Sequence, residues 1–244
     1  MTVLNAIVAD RLIDFKKKVD ARIDKGDKKD EAILKELQEL IKSSKKIRFE
    51  GNGYGDEWVK DAEKRGLSNV KDTPRALDVW SKKETKALFE KLAILSAVEI
   101  EARHDIELEN YMLKIQIESR LIADLAKNHI MPAALKYQNT LINNVQGLIN
   151  VLGEEEGKLA AKTQLNFIKS ISKHVNAMND KANIMIDERK KANVIEDVRE
   201  RAIAYCDNIK VLFDEIRYHA DKLEIMVDDD LWPLPKLREL LFTK

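Results

Sequence analysis

Apolar residues along this chain recur at intervals of three and four positions, the spacing that places them on one face of an α-helix. The first such pattern begins near Thr2 and ends in a lysine-rich turn before Gly26. A second begins near Asp30, with apolar positions at Ile33, Leu34, Leu37, Leu40 and Ile41. Only 8 glycines and 4 prolines interrupt the 244 residues, so breaks between helices are few. The pattern predicts an all-α protein with long helices.

The longest continuous pattern predicts one helix from Ala97 to about Leu152. Pro132 lies inside it and removes one backbone hydrogen bond, which usually bends a helix. Because the apolar spacing continues beyond the proline, we expect a kink and no break. The segment from Gly153 to Gly157 is predicted to be the turn that follows.

Two further helices complete a predicted bundle. One has apolar positions at Ile168, Ile171, Val175, Met178, Ala182 and Met185. The last alternates steps of four and three, which is a heptad seam, through Val198, Ala202, Tyr205, Ile209, Leu212, Ile216, His219, Leu223 and Met226. Long antiparallel helices with such seams form bundles. We therefore divide the chain into a compact helical region (1–95), a long-helix antiparallel bundle (96–230) and a C-terminal docking tail (231–244).

Local signals mark where shorter elements begin. Thr73 followed by Pro74 predicts an N-cap and a proline at the first helical position. The spacing Ser-x-x-Glu predicts capping boxes at Ser81 and at Ser96, the second of which opens the longest helix. Residues 47–49 are predicted to be a short extended segment that leads into a glycine-rich loop.

The glycine-rich loop is the most distinctive segment of the chain and contains Gly51, Asn52, Gly53, Tyr54 and Gly55. It opens into a short helix that begins with Asp56, Glu57 and Trp58. Helix N-termini bind phosphates, but these two carboxylates would repel an anion, and the spacing differs from that of phosphate-binding loops. We expect a tight turn whose three glycines hold conformations that a Cβ would strain, with Trp58 packed inward.

Five segments of the chain resemble segments of the type III glutamine synthetases. Residues 52–59 with 62–67 are similar to that family's NGYSDEWV…AEKRGL, with Gly55 where the family usually has serine. Residues 1–9 are similar to the helix that follows the family's active-site core. Residues 108–111, which include Glu109 and Tyr111, resemble the next signature together with residues 117–118.

The two remaining segments lie further along the chain. Residues 130–137, which include Pro132, are similar to the family's ILPAxLKY. The C-terminal segment, with Trp232 and Pro233 in residues 232–235 and then residues 240–242, is similar to its WPxPxxxxLLF. The five segments lie in the family's order and cover the chain from end to end.

This resemblance implies that the chain is the C-terminal portion of a ligase that joins glutamate and ammonia using ATP and magnesium or manganese. In that family the residues that bind ATP, metal, glutamate and ammonium lie upstream of the first helix here. We therefore expect this chain to carry no catalytic, cofactor-binding or metal-binding residue, to need no cofactor of its own and to be inactive alone. The signature residues then have structural roles.

The resemblance also implies a partner. Region 1–95 would be the tail end of the catalytic domain, and the partners would be the rest of the synthetase chain or further subunits of a homo-oligomer. The first helix would lie against the catalytic core through its apolar residues Leu4, Ile7, Val8 and Leu12. A rival interpretation is an independent helical bundle that offers its heptad seams to another protein.

A bundle metalloenzyme is the weakest alternative. Di-metal bundles need Glu-x-x-His on two helices, and Glu101 with His104 is the one such pair in the sequence. His129 and His219 fall on or near apolar stripes and are predicted to be core residues, whereas His104 is predicted to lie at the surface. The single Cys206 is predicted to be a buried structural thiol.

Composition narrows the function further. Lys and Arg total 43, as do Asp and Glu, and a neutral chain of mixed signs argues against nucleic-acid and anionic-membrane partners. No apolar run is long enough for a membrane span and no secretory signal opens the sequence, so a cytoplasmic location is expected. An exposed Trp-Pro-x-Pro tail would leave apolar area in water, so Trp232 is predicted to dock on region 1–95.

Overall fold

A computed structural model describes residues 2–241, with side chains of residues 237 and 238 excepted. The protein is 82% helical and its described residues form no strand, which confirms the all-α prediction. Contacts divide it into two units, residues 1–107 and 108–244. The division at residues 95 and 230 stays a prediction.

Five helices and part of a sixth make up the first unit. They are α1 (Thr2–Ile23), α2 (Lys29–Ser43), α3 (Asp56–Lys64), α4 (Thr73–Leu77), α5 (Lys83–Lys91) and the first part of α6 (Ala97–Asp124). Two 3₁₀ turns, Ser44–Ile47 and Asp78–Ser81, follow α2 and α4. The two helices predicted from the opening apolar patterns are therefore present where expected.

Small and aromatic side chains form the core of the first unit. Ala6 of α1 packs with Phe89 of α5 and Ile100 of α6, and Trp80 stacks on Phe89 with 5.8 Å between ring centroids. A partly buried ion pair between Arg22 and Glu36 joins α1 to α2. The apolar stripe predicted for α2 is not part of this core, because Leu34, Leu37, Leu40 and Ile41 are all exposed.

Three of the predicted local signals need correction. Asp72, not Thr73, caps α4, because its carboxylate accepts the Arg75 backbone N–H at 3.0 Å. Ser81 makes no capping box, since it ends a 3₁₀ turn and α5 begins at Lys83 without a side-chain cap. Residues 47–49 are extended only in part, because Ile47 belongs to the preceding 3₁₀ turn.

The capping box at Ser96 is confirmed. The Ser96 backbone N–H donates to the Glu99 carboxylate at 2.8 Å, and the Glu99 backbone N–H donates to the Ser96 hydroxyl at 3.4 Å. This reciprocal pair satisfies donors that a helix N-terminus leaves unpaired. It fixes the start of α6.

The second unit continues α6 into one uninterrupted helical path. A π-helical turn (Leu125–Ile130) follows α6, and α7 (Met131–Leu152) follows the turn. Pro132 is the second residue of α7 and cannot donate a helical hydrogen bond. The wider π turn ends at Ile130, two residues before this proline. The prediction that the helix continues past Pro132 is confirmed. Its distortion takes the form of this π turn.

Short connections lead to the remaining helices. These are α8 (Glu154–Ala160), α9 (Lys162–Asn193), α10 (Val198–Ala204), a second π turn (Tyr205–Lys210), α11 (Val211–Met226) and α12 (Leu237–Leu241). The turn predicted over residues 153–157 is wrong, because Gly153 alone makes the bend, with φ of 86°, and Gly157 lies inside α8.

Side-chain pairs show that the long helices are antiparallel. The Gln138 amide donates to the Ile168 carbonyl at 2.8 Å, whereas Arg189 donates to the Ser119 hydroxyl at 3.2 Å. Later residues of α9 therefore contact earlier residues of the α6–α7 path, as in antiparallel helices. The same holds between α9 and α11, where Lys181 pairs with Glu215. The predicted antiparallel bundle is confirmed.

Six of the nine predicted seam positions of the last long helix are buried, and Val198, His219 and Met226 are half-buried. Ala202, Tyr205, Ile209, Leu212, Ile216 and Leu223 are each less than 10% exposed, as are Ile171, Val175, Met178, Ala182 and Met185 of α9. Cys206 is also buried, as expected. The heptad period did not predict the π turn at Tyr205–Lys210, because Tyr205 and Ile209 of that turn are buried like the seam residues on either side.

The tail docks on a different surface from the one predicted. Trp232 is buried against the bundle, where it shares a cavity with Phe213 and Ile216 of the last long helix. Lys236 anchors the same segment by donating to the carbonyl oxygens of Glu224 at 2.9 Å and Val227 at 3.4 Å. The predicted docking of Trp232 on region 1–95 is therefore wrong. Phe242 lies outside the described residues.

Candidate functional site

The glycine-rich loop is held by one arginine that sequence reasoning assigned no role. Trp58 of α3 stacks on Phe49, with ring centroids 4.1 Å apart, and the Arg65 guanidinium lies 5.4 Å from the Trp58 ring centroid. Arg65 also donates to the Arg48 carbonyl oxygen at 2.8 Å and pairs with Asp61 at 2.6 Å. Its spacing of seven from Trp58, two helical turns, is the sequence signal for this contact.

The loop itself is a local turn. The Asn52 side-chain oxygen accepts the Tyr54 backbone N–H at 3.0 Å, and its carbonyl oxygen accepts the Gly55 N–H at 3.1 Å. Asparagine commonly closes turns in this way. Tyr54 extends fully into solvent, and Trp58 is half-buried by its stacking on Phe49.

The expectation of strain at all three loop glycines is correct only at Gly51. Its φ is 145°, and a Cβ there would lie 2.9 Å from the Phe49 ring. Gly53 has no positive φ and open space around it, and Gly55 has φ of −80° with ordinary contacts only. Composition alone could not separate these cases, because glycine is also common at turns that do not require it.

The helix that follows the loop begins with negative charge, which disfavours a phosphate at that end. Asp56 and Glu57 occupy the first turn of α3, as predicted, so the helix end that could attract phosphate already carries negative charge. A basic hollow beside the loop is lined by Lys42, Lys45, Lys46, Arg48 and Arg65. Its two arginines are bound to backbone carbonyl oxygens, Arg48 to that of Ile41 at 2.9 Å. Among the described residues, no cluster of three acidic, histidine or cysteine side chains could hold a metal.

Glu109 and Tyr111 lie in the second unit, on α6. Glu109 lines a shallow hollow with Arg201 and Tyr205, and Tyr111 is half-buried. The Tyr205 hydroxyl donates to the Asn193 side-chain oxygen at 2.6 Å, and burial raises the pKa of Tyr205. A tyrosine with a raised pKa stays neutral at physiological pH, so this contact joins α9 to the second π turn as an ordinary hydrogen bond.

The histidines are arranged differently from the prediction. His104, predicted at the surface, is buried, and His129, predicted in the core, is exposed. His219 is half-buried and its Nδ1 lies 2.9 Å from Nδ1 of His174 on α9. Burial lowers the pKa of both, and the neighbouring Lys173 adds to the effect. His174 follows the buried Ile171 by three positions. This helical spacing places His174 beside the core side of α9 and was the sequence signal for its contact with His219.

Pro132 and Trp232 belong to segments that the structure brings close together. The π turn directly before Pro132 contributes Leu125, Ala126 and Ile130 to an apolar cavity of about 420 Å³, which Trp232 also lines. Pro233 is exposed. Two of the five resembling segments therefore meet around one cavity, while Glu109 and Tyr111 line none of it.

None of the helices in residues 2–241 combines the length and apolar character that crossing a bilayer requires.

The structure contains two local arrangements with distinctive geometry, the arginine-pinned loop of the first unit and the apolar cavity of the second.

Comparison with known proteins agrees with the resemblance. Residues 32–148 match the family described as the glutamine synthetase C-terminal domain. Over all 244 residues the chain is 42% identical to a glutamine synthetase of Bacteroides fragilis (strain YCH46), covering 34% of that protein. It is 30% identical over 218 residues, 89% of this chain, to a glutamine synthetase of Butyrivibrio fibrisolvens, covering 31% of it.

A third relative is the type-3 glutamine synthetase of Dictyostelium discoideum, 29% identical over 247 aligned residues, which cover 99% of this chain and 33% of that protein. The chain thus spans about a third of the length of the relatives it matches. The match runs through both units, including the loop and the cavity. Residues 32–148 therefore match the glutamine synthetase C-terminal domain family, and the whole chain is similar to part of a glutamine synthetase.

Proposed function

We propose that this chain acts as the C-terminal structural part of a type III glutamine synthetase, an ATP-dependent ligase of glutamate and ammonia. In this proposal the residues that bind ATP, magnesium or manganese and the substrates belong to the remainder of the enzyme. The chain itself completes the packing of the catalytic domain and shapes contacts between subunits. The poor fit of the glycine-rich loop to a phosphate supports a non-catalytic role.

The observation that carries this proposal is the unpartnered apolar stripe of α1. Leu4 is 64% exposed, Val8 53% and Leu12 62%, and Ile7 between them is also exposed. The buried residues of the same helix are Ala6, which packs in the first unit's own core, and Val19. Covering a half-exposed leucine or valine stabilises an interface by about 1 kcal/mol. A continuous stripe of this kind indicates a surface that another polypeptide segment covers.

The bundle offers less support to the rival interpretation of an independent interaction module. Its heptad seam is used internally, since Ile209, Leu212 and Ile216 are buried within the second unit. A seam that is already covered is not available to a second protein. The exposed stripe of α1 lies in the part of the chain that the resemblance places next to the catalytic core.

Sedimentation velocity tests the role of the α1 stripe. We expect the purified chain to self-associate with rising concentration, because without the remainder of the enzyme the stripe is its own best partner. The triple variant Leu4→Glu, Val8→Glu, Leu12→Glu should sediment as a monomer. A matched control changes Val151, Val194 and Ile225 to Glu, three apolar residues about 80% exposed and outside the stripe. The control should associate as the unchanged chain does.

Two results would contradict the proposal. A chain that stays monomeric at all concentrations, with α1 protected from amide exchange, would show that the stripe needs no partner. Micromolar binding of magnesium-ATP in a calorimetric titration of the purified chain would place a substrate site in it and remove the basis for a purely structural role.

A further inference from the structure

We propose that α6 carries a contact surface for a second copy of this chain, which pairs with it in the antiparallel direction through Leu113, Ile117 and Leu121. We call these three residues the α6 stripe. The inference rests on the proposed function and deepens it, because it names the residues, the partner and the direction of one contact between subunits. The α6 stripe belongs to the second unit, whereas the stripe of α1 belongs to the first.

Two opposite faces of α6 are apolar. One face is covered by the chain itself, since Leu108 has no exposed surface and Ile115 is 5% exposed. The other face repeats apolar residues at intervals of four, and Leu113 is 53% exposed, Ile117 57% and Leu121 55%. Residues four apart share one side of an α-helix. A helix that is apolar on all sides is usually buried on all sides, so the α6 stripe indicates a further contact.

Charged residues border the α6 stripe on both edges. At 3.6 residues per turn, Lys114 and Glu118 lie along one edge, and Glu109 and Arg120 lie along the other. All four are exposed, and none forms an ion pair with another residue in the described part of the chain. Burial and the nearby charge of Arg120 lower the pKa of Arg189, so Arg120 has a like charge as its neighbour. An incoming carboxylate would relieve this repulsion.

An antiparallel second copy places each of these charges beside an opposite one. In an antiparallel pair each edge of a helix meets the same edge of its partner, and residues whose numbers have nearly the same sum lie opposite each other. When Leu113 faces Ile117 of the second copy, Glu109 therefore lies beside its Arg120. In the same register Lys114 lies beside its Glu118. The two-fold symmetry repeats both pairs, so all the bordering charges are matched.

A parallel second copy matches the charges less well. Opposite edges meet in a parallel pair, which places Glu109 near Lys114 of the second copy. Arg120 and Glu118 then have no opposite charge across the contact. Because the antiparallel arrangement satisfies all four residues with a single kind of chain, the pattern of charges selects a second copy in that direction.

The α6 contact is small and acts together with other contacts between subunits. Stable interfaces contain about 20–30 residues on each side, far more than the α6 stripe and its bordering charges provide. The pairing is therefore too weak to hold a dimer by itself in a sedimentation experiment. A chain without the α1 stripe is accordingly still expected to sediment as a monomer.

Disulfide trapping in the full chain tests the contact and its direction, because it accumulates a weak pair as a covalent product. One variant carries Leu113→Cys with a histidine tag and the other carries Ile117→Cys, while the native Cys206 is buried. In an equimolar mixture in glutathione redox buffer, the disulfide between the two variants should be roughly fivefold more abundant than either homodimer. In a matched control Val211→Cys, on α11 and also 53% exposed, replaces Leu113→Cys and should give only background disulfide.

Charge reversal tests the paired edges independently. Glu109→Lys with Glu118→Lys makes both edges basic, and Lys114→Glu with Arg120→Glu makes both acidic. Two partners with basic edges should cross-link roughly fivefold less than the unreversed pair, since like charges then face each other. A basic partner mixed with an acidic one should recover the original yield. Circular dichroism of each variant checks that the helices remain.

Four results would overturn the inference. A statistical mixture of heterodimer and homodimers removes the antiparallel register, and an excess of homodimers shows a parallel pairing. A yield equal to that of the Val211→Cys control shows that a different polypeptide covers the α6 stripe. Unchanged yields after charge reversal remove the proposed ion pairs.

The test at α6 and the sedimentation test at α1 give separate answers. If the α1 variant is monomeric and the unchanged chain associates, but no disulfide is trapped at α6, the proposed function stands and this inference falls. A trapped heterodimer in a chain whose association does not depend on α1 gives the reverse result.

Discussion

Two glycines on neighbouring helices should respond to the same substitution with different changes in stability. Gly157 is buried in α8, where a Cβ would lie 2.5 Å from the Ile149 Cα of α7 and 2.9 Å from the Ile149 backbone nitrogen. Gly147 lies on the exposed side of α7, and a Cβ there would meet nothing within 4 Å. Both are within α-helices, so alanine improves the helical preference of each equally.

The magnitude follows from the difference between the two sites. Replacing glycine with alanine inside a helix stabilises it by about 1 kcal/mol, so Gly147→Ala should raise the free energy of unfolding by that amount. At Gly157 the clashing atoms belong to backbone that cannot rotate away, so α8 must move from α7 by roughly 1 Å to reach ordinary contact. Overpacking of this kind costs about 1–3 kcal/mol. The two variants should differ by this steric term.

Urea unfolding followed by circular dichroism at 222 nm measures both variants. We expect Gly147→Ala to raise the urea midpoint of the bundle transition. The free energy of unfolding of Gly157→Ala should be about 1–3 kcal/mol lower than that of Gly147→Ala. Equal stabilisation of the two variants would show that α8 does not pack closely on α7. The reasoning about the close approach at Gly157 would then be refuted.

Two further predictions concern pH and the loop. Burial depresses the folded-state pKa values of His174 and His219 below the ordinary 6.5, so the unfolded chain binds more protons, and the stability present above that pH is lost as pH falls below it. The urea midpoint should therefore decrease as the pH is lowered below 6.5. Replacing both histidines with Gln should make the midpoint less dependent on pH. Gly51→Ala, which combines positive φ with a contact to Phe49, should cost roughly 1 kcal/mol or more in urea unfolding, whereas Gly53→Ala should be neutral or slightly stabilising.

Helical periodicity predicted the elements of this fold well. The spacing of apolar residues located α1, α2, the α6–α7 path, α9 and the last long helix, and it identified the buried side of the bundle. These are long segments, in which each turn repeats the same signal. Short elements were less well predicted, because one hydrogen bond decides them. At α4, the competing acceptor Asp72 lies one residue before Thr73 and takes the capping position.

Contacts between distant residues could not be predicted from the pattern. The apolar spacing wrongly predicted that His129 is buried, and the charged residues around His104 wrongly predicted that it is exposed, because half a turn of helix separates burial from exposure. The glycine-rich loop was located correctly, but which glycine is constrained depends on φ and on the Phe49 ring, and neither is written in the spacing. Trp232 was expected to be covered, and it is, yet its partner lies in the bundle.

The apolar stripes of α2 and α11 show why a pattern and its partner are separate questions. Both helices repeat apolar residues at three and four positions. In α11 the stripe is buried by α9, whereas in α2 Leu34, Leu37 and Ile41 are exposed and the buried positions are Ala32 and Glu36. An apolar stripe therefore predicts that one face of a helix is covered, but it does not predict which segment covers it. The function proposed above assigns the exposed stripe of α1 to the remainder of the enzyme, whereas the exposure of the α2 stripe by itself names no partner.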